Sequence, residues 1–307
     1  MKTLLASVAA AATLAAMPVL AADIIVVAHG QANDPFWSVV KNGAQAAAEQ
    51  TGANVDFRSP ETFDMVQMSQ LIDAAVNQEP DGLVVSIPDA DALSPSIKRA
   101  VEAGIPVISM NSGGDVAHEL GARLHVGQSE YDAGVAAGRK LAEMGGKKGI
   151  CVNQEVGNVS LDARCAGFTE GFGGNVQVIP TMNDPAEVQS KVRAALDSDE
   201  ELDTVLGLSA PLVGEPAVAA VEAMGLAGEV LVASFDLSPG FLEAVADGKA
   251  AFAIDQQQFL QGYLPVVFLA MNAEYGLMPG GDVPSGPNLV TQEAAAKVID
   301  LAAQGIR

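Results

Sequence analysis

The sequence predicts an α/β fold in which two similar lobes are each built on a parallel β-sheet. Three observations carry this expectation. Short apolar runs alternate with helix-length segments through almost the whole 307-residue chain, and repeated strand–helix units make parallel sheets with helices on both faces. The runs are continuously apolar, as in Ile24-Ile25-Val26-Val27-Ala28, which marks strands covered on both sides. The pattern also completes itself near residue 127 and starts again, with no Pro-, Gly- or Ser-rich linker at the join. Ordered crossings between lobes are therefore expected.

The elements follow in order. The strand at 24–28 leads to a helix over 36–49, opened by Asp34-Pro35 and closed by Gly52; Asp is a good N-cap and Pro suits the first helical position. A strand at 55–57 precedes a helix over 65–76, where Met65, Met68, Leu71, Ile72 and Ala75 recur at helical spacing. A strand at 82–87, a helix over 95–103 ended by Gly104, and strands at 105–109 and 124–127 complete the first run. The second run has helices over 132–144, 161–172, 187–196, 217–224 and 241–245. Its strands fall at 149–152, 176–179, 204–208, 230–233 and 251–254. A long helix over 259–275, a Gly/Pro-rich tail and a short terminal helix follow.

The N-terminus predicts the compartment. Lys2 supplies a positive start, Leu4 to Leu20 is apolar, and Val19-Leu20-Ala21-Ala22 ends in small residues before Asp23. This is the layout of a secretory signal peptide cleaved after Ala21 or Ala22, and the run is short for a membrane span. Residues 1–22 are read as a leader, and the mature chain is expected in the periplasm. Its length allows two domains, and 49% hydrophobic residues supply two cores. With 38 Asp+Glu against 16 Lys+Arg, the net charge is −22, which argues against nucleic-acid and anionic-lipid partners. Export permits a disulfide between the two cysteines, Cys151 and Cys165, whose short loop makes it worth roughly 3 kcal/mol. No His accompanies them as a zinc set requires, so neither metal nor cofactor is expected.

Parallel sheets bind ligands beyond the carboxyl ends of their strands. Those positions carry His29 to Trp37, then Asp89, Asn111-Ser112, Asn153 to Asn158, Ser209, Asp236 and Gln256. Amides and carboxylates recur there in both halves, and they donate and accept hydrogen bonds in the fixed directions a polyhydroxylated ligand needs. Phe36 and Trp37, the one Trp of the chain, offer aromatic faces for the C–H faces of a sugar. Arg164 brings five donors in a rigid fork and is expected to pair with Asp236 or a ligand oxygen. The ligand-binding candidates are thus Asp34, Phe36, Trp37, Asp89, Asn111, Asn158, Arg164, Ser209, Asp236 and Gln256. His29, Asn33 and Glu155 are additional candidates, His29 more as a supporting group than as a direct contact. No catalytic residue is assigned.

Several of these segments, in order along the mature chain, resemble the type I periplasmic binding proteins of the ribose/galactose class. Asn33-Asp34-Pro35-Phe36-Trp37 is similar to the family's Asn-Asn-Pro-Phe-Phe segment, Arg164-Cys165-Ala166-Gly167-Phe168 to its Arg-x-x-Gly-Phe, and Ser234-Phe235-Asp236 to its Gly-Phe-Asp. Ile254-Asp255-Gln256-Gln257 resembles the segment with a ligand-binding hinge Gln. The resemblance implies two Rossmann-like lobes joined by a three-crossing hinge, closing on ligand and docking on an ABC transporter permease. Crossings are expected near 127–128, 236–237 and 255–256. The N-terminal lobe is then 23–127 plus 237–255, and the C-terminal lobe 128–236 plus 256–307. Ribose-type members carry Asp-Arg where this chain has Asn111-Ser112, and often Asn-Asp where it has Ser209-Ala210. These departures point to a different small neutral sugar or a polyol, bound by a monomer.

Other functions fit less well. An oxidoreductase would show Gly-x-Gly-x-x-Gly after the first strand; this chain has Gly30-Gln31-Ala32-Asn33-Asp34-Pro35, and neither a Walker loop nor a Gly-x-Ser-x-Gly elbow. A lac-repressor-type regulator would place a DNA-binding helix pair where the leader lies. Binding of an autoinducer-type furanone, or presentation of ligand to a chemoreceptor or sensor kinase, is the alternative within the binding class.

Overall fold

The computed structural model describes residues 21–30 and 34–307. The leader, apart from Ala21 and Ala22, and Asn33 lie outside these residues. The first run reads β1 (Asp23–Val27), α1 (Pro35–Thr51), β2 (Asn54–Arg58), α2 (Met65–Val76), β3 (Gly82–Val85), α3 (Ala90–Glu102), β4 (Val107–Asn111), α4 (Gly114–Ala117) and β5 (His125–Gly127). The second reads α5 (Glu130–Glu143), β6 (Gly149–Asn153), α6 (Val159–Phe172), β7 (Val176–Pro180), α7 (Pro185–Ser198) and β8 (Thr204–Gly207). A π-helical turn at Ala210–Gly214 then leads into α8 (Glu215–Ala223), β9 (Leu231–Phe235), α9 (Pro239–Ala246) and β10 (Phe252–Asp255). The remainder is α10 (Gln258–Tyr275), β11 (Val283–Pro284), β12 (Asn288–Thr291), α11 (Gln292–Ala295) and α12 (Ile299–Ala303). Among the described residues no helix is long and apolar enough to cross a membrane.

Two six-stranded sheets result, ordered β11-β5-β4-β3-β1-β2 and β12-β10-β9-β8-β6-β7. Every pairing is parallel except β10 with β12. The orders superimpose if β1–β5 are matched to β6–β10, so each lobe repeats one plan and adds an edge strand from the C-terminal region. Both strand-order reversals, at β1/β3 and β6/β8, open toward the gap between lobes, where such sheets bind ligands.

The lobe boundaries differ from the sequence expectation. Segment 237–255, assigned above to the N-terminal lobe, forms α9 and β10 of the second lobe. Leu237, Phe241, Leu242 and Val245 are buried in that lobe's core, and β10 pairs with β9. Conversely α10 belongs to the first lobe, where Val266, Leu269 and Ala270 pack with Ile24, Val26 and Trp37. The chain crosses after β5, after β10 and between β11 and β12. The expected crossing at 236–237 is instead a turn within the second lobe. Apolar periodicity shows that a helix has a buried face, not which core covers it.

Glycines bring matching helix pairs into backbone contact. A Cβ on Gly262 of α10 would lie 1.9 Å from the Val40 carbonyl oxygen of α1, and one on Gly43 would lie 2.0 Å from that of Phe259. In the second lobe, a Cβ on Gly167 of α6 would lie 2.0 Å from the Tyr131 oxygen of α5. These close crossings fix α1, which begins at the cap Asp34 and carries Phe36 and Trp37 in its first turn, and α6, which carries Arg164.

Candidate functional site

The site grows from the carboxyl ends of the strands. After β1, the His29 amide donates to Ser86 Oγ (2.9 Å), and its ring Nδ1 lies 2.8 Å from the same oxygen. Asn158 Nδ2, which can only donate, faces ring Nε2 at 3.4 Å, so the fitting tautomer accepts at Nε2 and carries the ring proton on Nδ1, toward Ser86 Oγ. Asp34 caps α1 by accepting from the Phe36 amide at 2.9 Å. Trp37 is buried edge-on against His29 (4.7 Å) and Phe36 (5.1 Å). Only glycine fits beneath it, since a Cβ on Gly30 would lie 1.6 Å from the indole.

From the second lobe come Glu155, Arg164 and Asp236. The disulfide between Cys151 and Cys165 forms and ties α6, which carries Arg164, to β6, whose end carries Gln154 and Glu155. Arg164 binds Glu130 in a two-point grip, Nε to Oε2 at 2.6 Å and Nη2 to Oε1 at 3.0 Å. Its Nη1 reaches the Leu208 carbonyl (3.3 Å), and the guanidinium lies 4.4 Å from the Phe235 ring centroid. The sequence suggested Asp236 or a ligand as its partner; the partner is Glu130, 34 residues away, which no local signal marks. Asp236 accepts from Gln256 Nε2 (2.6 Å).

Asn111 and Asp236 hold matching places at the ends of β4 and β9, and both have left-handed backbone, φ 61° and 71°. Non-glycine residues are strained there, and such strain gathers at functional positions. Gln256 links the two. It accepts from Asn111 Nδ2 (3.2 Å) while donating to Asp236, and the same Asn111 nitrogen reaches Gln261 (3.1 Å). Asn111 Oδ1 accepts from Ser112 Oγ. Both polar atoms of the Asn111 side chain thus have partners within the protein.

These groups line one small cavity between the lobes. Of the sequence candidates, Asp34, Phe36, Trp37, Asn111, Arg164, Ser209, Asp236 and Gln256 line it, as do His29 and Glu155. Two do not. Asp89 caps α3 by accepting from the Ala92 amide (3.0 Å), because that helix begins a turn earlier than its Pro95 suggested. Asn158 is fully buried, caps α6 through the Ser160 amide and donates to Glu155 Oε2 (2.9 Å); it aims Glu155 from behind. Gln154, Leu161 and Leu208 also line the wall, unassigned from sequence although Gln154 sits in the polar run after β6. The lobes touch beside the cavity, the Val159 amide donating to the Pro88 carbonyl (3.1 Å).

The electrostatics follow from burial. Desolvation, then the nearby Arg164 charge, holds His29 neutral, its pKa lowered to about 3. Desolvation, with Glu155 facing it, raises Asp34 to about 7. Desolvation also raises Asp236 to about 7 against the pull of Arg164, and raises Glu155. Burial opposes the Arg164 charge, but Glu130, and after it Asp236 and Glu155, more than offset this and raise its pKa. The cavity is therefore rich in acceptors, with a guanidinium and amides as donors. It suits recognition of hydroxyl groups.

Comparison with known proteins agrees with this geometry. The model of the periplasmic binding protein domain matches residues 24–276. The chain is 35% identical to a carbohydrate transporter protein from Acidothermus cellulolyticus 11B solved in complex with myo-inositol. The alignment covers 94% of this chain and 100% of that one, with a TM-score of 0.88. It is 27% identical over 265 residues to the ribose import binding protein RbsB of Salmonella typhimurium, covering 83% of this chain and 86% of that protein. It is 24% identical to the xylose/arabinose-binding protein XylF of Sulfolobus acidocaldarius, covering 80% of this chain and 64% of XylF.

Proposed function

The chain belongs to the periplasmic binding protein family, and on that premise we propose that it captures a small polyhydroxylated ring, a sugar or a cyclic sugar alcohol of inositol size, and delivers it to an ABC permease. The carrying observation is the single cavity into which Asp34 from one lobe and Glu155, Arg164 and Asp236 from the other project beside Phe36 and Trp37. Ring hydroxyls donate to the carboxylates and accept from Arg164, while the C–H face of the ring packs on the aromatic wall. Ligand contacts to both lobes favour the closed form, since a ligand shifts the equilibrium by its differential affinity for the two states. The members of this family are binding proteins of transporters, and this chain is not an enzyme. The protein acts in the periplasm as a monomer after loss of its leader near Ala22. The myo-inositol complex of the 35%-identical relative favours a cyclitol over ribose, as does the lost Asp-Arg pair at Asn111-Ser112. The relatives named as transport proteins favour transport over the furanone or sensor-presentation alternative.

A thermal-shift panel of myo-inositol, D-ribose, D-xylose and D-glucose on the mature protein tests this. A true ligand at about 100 times its Kd adds roughly 2.7 kcal/mol of stability and changes Trp37 fluorescence. A panel that leaves both the melting temperature and the fluorescence unmoved would refute it.

A further inference from the structure

Resting on that reading, we infer that the cavity is built to take an ammonium in place of one ring hydroxyl, so that an aminocyclitol or amino sugar binds in preference to its hydroxy parent. Three carboxylates, Asp34, Glu155 and Asp236, face one small cavity, and among the described residues Arg164 is the sole positively charged side chain on its wall, burial holding His29 neutral. That guanidinium is already held at two points by a fourth buried carboxylate, Glu130. His29 does not redress the balance. Its Nε2 lies 3.7 Å from Glu155, but that nitrogen is the acceptor side of a neutral ring, and Asn158 supplies the proton Glu155 receives.

Each carboxylate is only partly satisfied. Asp34 accepts from one backbone amide, Glu155 from the side-chain amides of Asn158 and Asn183, and Asp236 from Gln256. Asp236 is 4% exposed, and its Oδ2 has no hydrogen-bond partner among the described residues while the residue lines the cavity. Neutral hydroxyls donate one proton each and leave like charges facing across the cleft. An ammonium donates three and carries the missing charge. Repulsion from Glu155, which contributes to the raised pKa of Asp34, places the deficit between residues of opposite lobes. A cation there would draw the lobes together, and the adjoining Phe36 and Trp37 rings favour a cation at their faces.

Isothermal titration of the mature protein in phosphate buffer at pH 7 tests this with matched pairs: myo-inositol against an amino-deoxy-inositol, and D-glucose against D-glucosamine. Tris is excluded because it is itself an aminopolyol. In at least one pair the amine is expected to bind 10-fold or more tighter than its parent, and N-acetylation should abolish the gain. Asp34→Asn and Glu155→Gln should each weaken the amine more than its parent and so bring the amine-to-parent ratio toward one. If parents bind as well as or better than their amines, the inference is overturned and the polyol reading stands. A ratio unchanged in both variants also overturns it. If no member of either pair binds, both fall together.

Discussion

Replacing Glu130 by Gln removes the charge behind Arg164 without changing the size of the side chain. Arg164 and Glu130 are 3% and 9% exposed, so little water reaches the guanidinium left behind. The 2.6 Å and 3.0 Å contacts are lost or weakened, because an amide can accept through one oxygen only and sets its NH₂ against a guanidinium N–H. The remaining protein hydrogen bond is the long one to Leu208. Breaking one partner of a buried pair costs about 3–5 kcal/mol. Asp236 and Glu155 offset part of this, since both already act on Arg164, so about 3 kcal/mol is expected from urea unfolding with the disulfide intact. A Glu130→Leu, Arg164→Met double variant should unfold at higher urea than Glu130→Gln alone, since no guanidinium is left unpaired and the Asp236 and Glu155 carboxyls, which lose its pull, can take up protons, yet bind no ligand. A Glu130→Gln loss below about 1 kcal/mol, or a double variant less stable than the single one, would show that the pair does not hold Arg164 in place.

Asp34→Asn keeps the helix cap and removes a buried charge. The unfolded carboxyl titrates near 3.9 and the folded one at about 7. The ligand-free native state thus holds its proton more tightly, and its stability is greatest below about pH 4 and falls as pH rises through 7. The variant should match the parent near pH 4 and exceed it at pH 8 by on the order of 1–3 kcal/mol, the cleft opening before the full penalty is felt. Melting temperatures at the two pH values check this, and a variant that gains nothing at pH 8 contradicts the assignment. Gly262→Ala should cost about 1–3 kcal/mol by forcing α10 off α1; a neutral result in urea would mean that the 1.9 Å approach relaxes without cost.

The legible part of the fold was what local chemistry dictates. The continuous apolar run of β1, Asp34-Pro35 at the start of α1 and Gly52 at its end are readable because capping and burial on both faces depend on a few neighbouring residues. The strand-end rule then located most of the cavity wall, including Asp34, Asn111, Asp236 and Gln256. It misread Asp89 and Asn158, since Asn and Asp at strand ends serve helix caps as readily as ligands, and only their hydrogen bonds distinguish the uses.

The amino-acid sequence by itself determined two α/β lobes, the disulfide partners and the residue types at the strand ends. Tertiary structure alone decided that 237–255 completes the second lobe and α10 the first, that Glu130 grips Arg164, and that Gln256 joins Asn111 to Asp236. Those relations link residues distant along the chain, through packing and charge that appear only once both sheets have closed around their cores. The excess of carboxylate over guanidinium in the cavity has the same origin: each group is unremarkable in its own segment, and their energies couple only when folding removes the water between them.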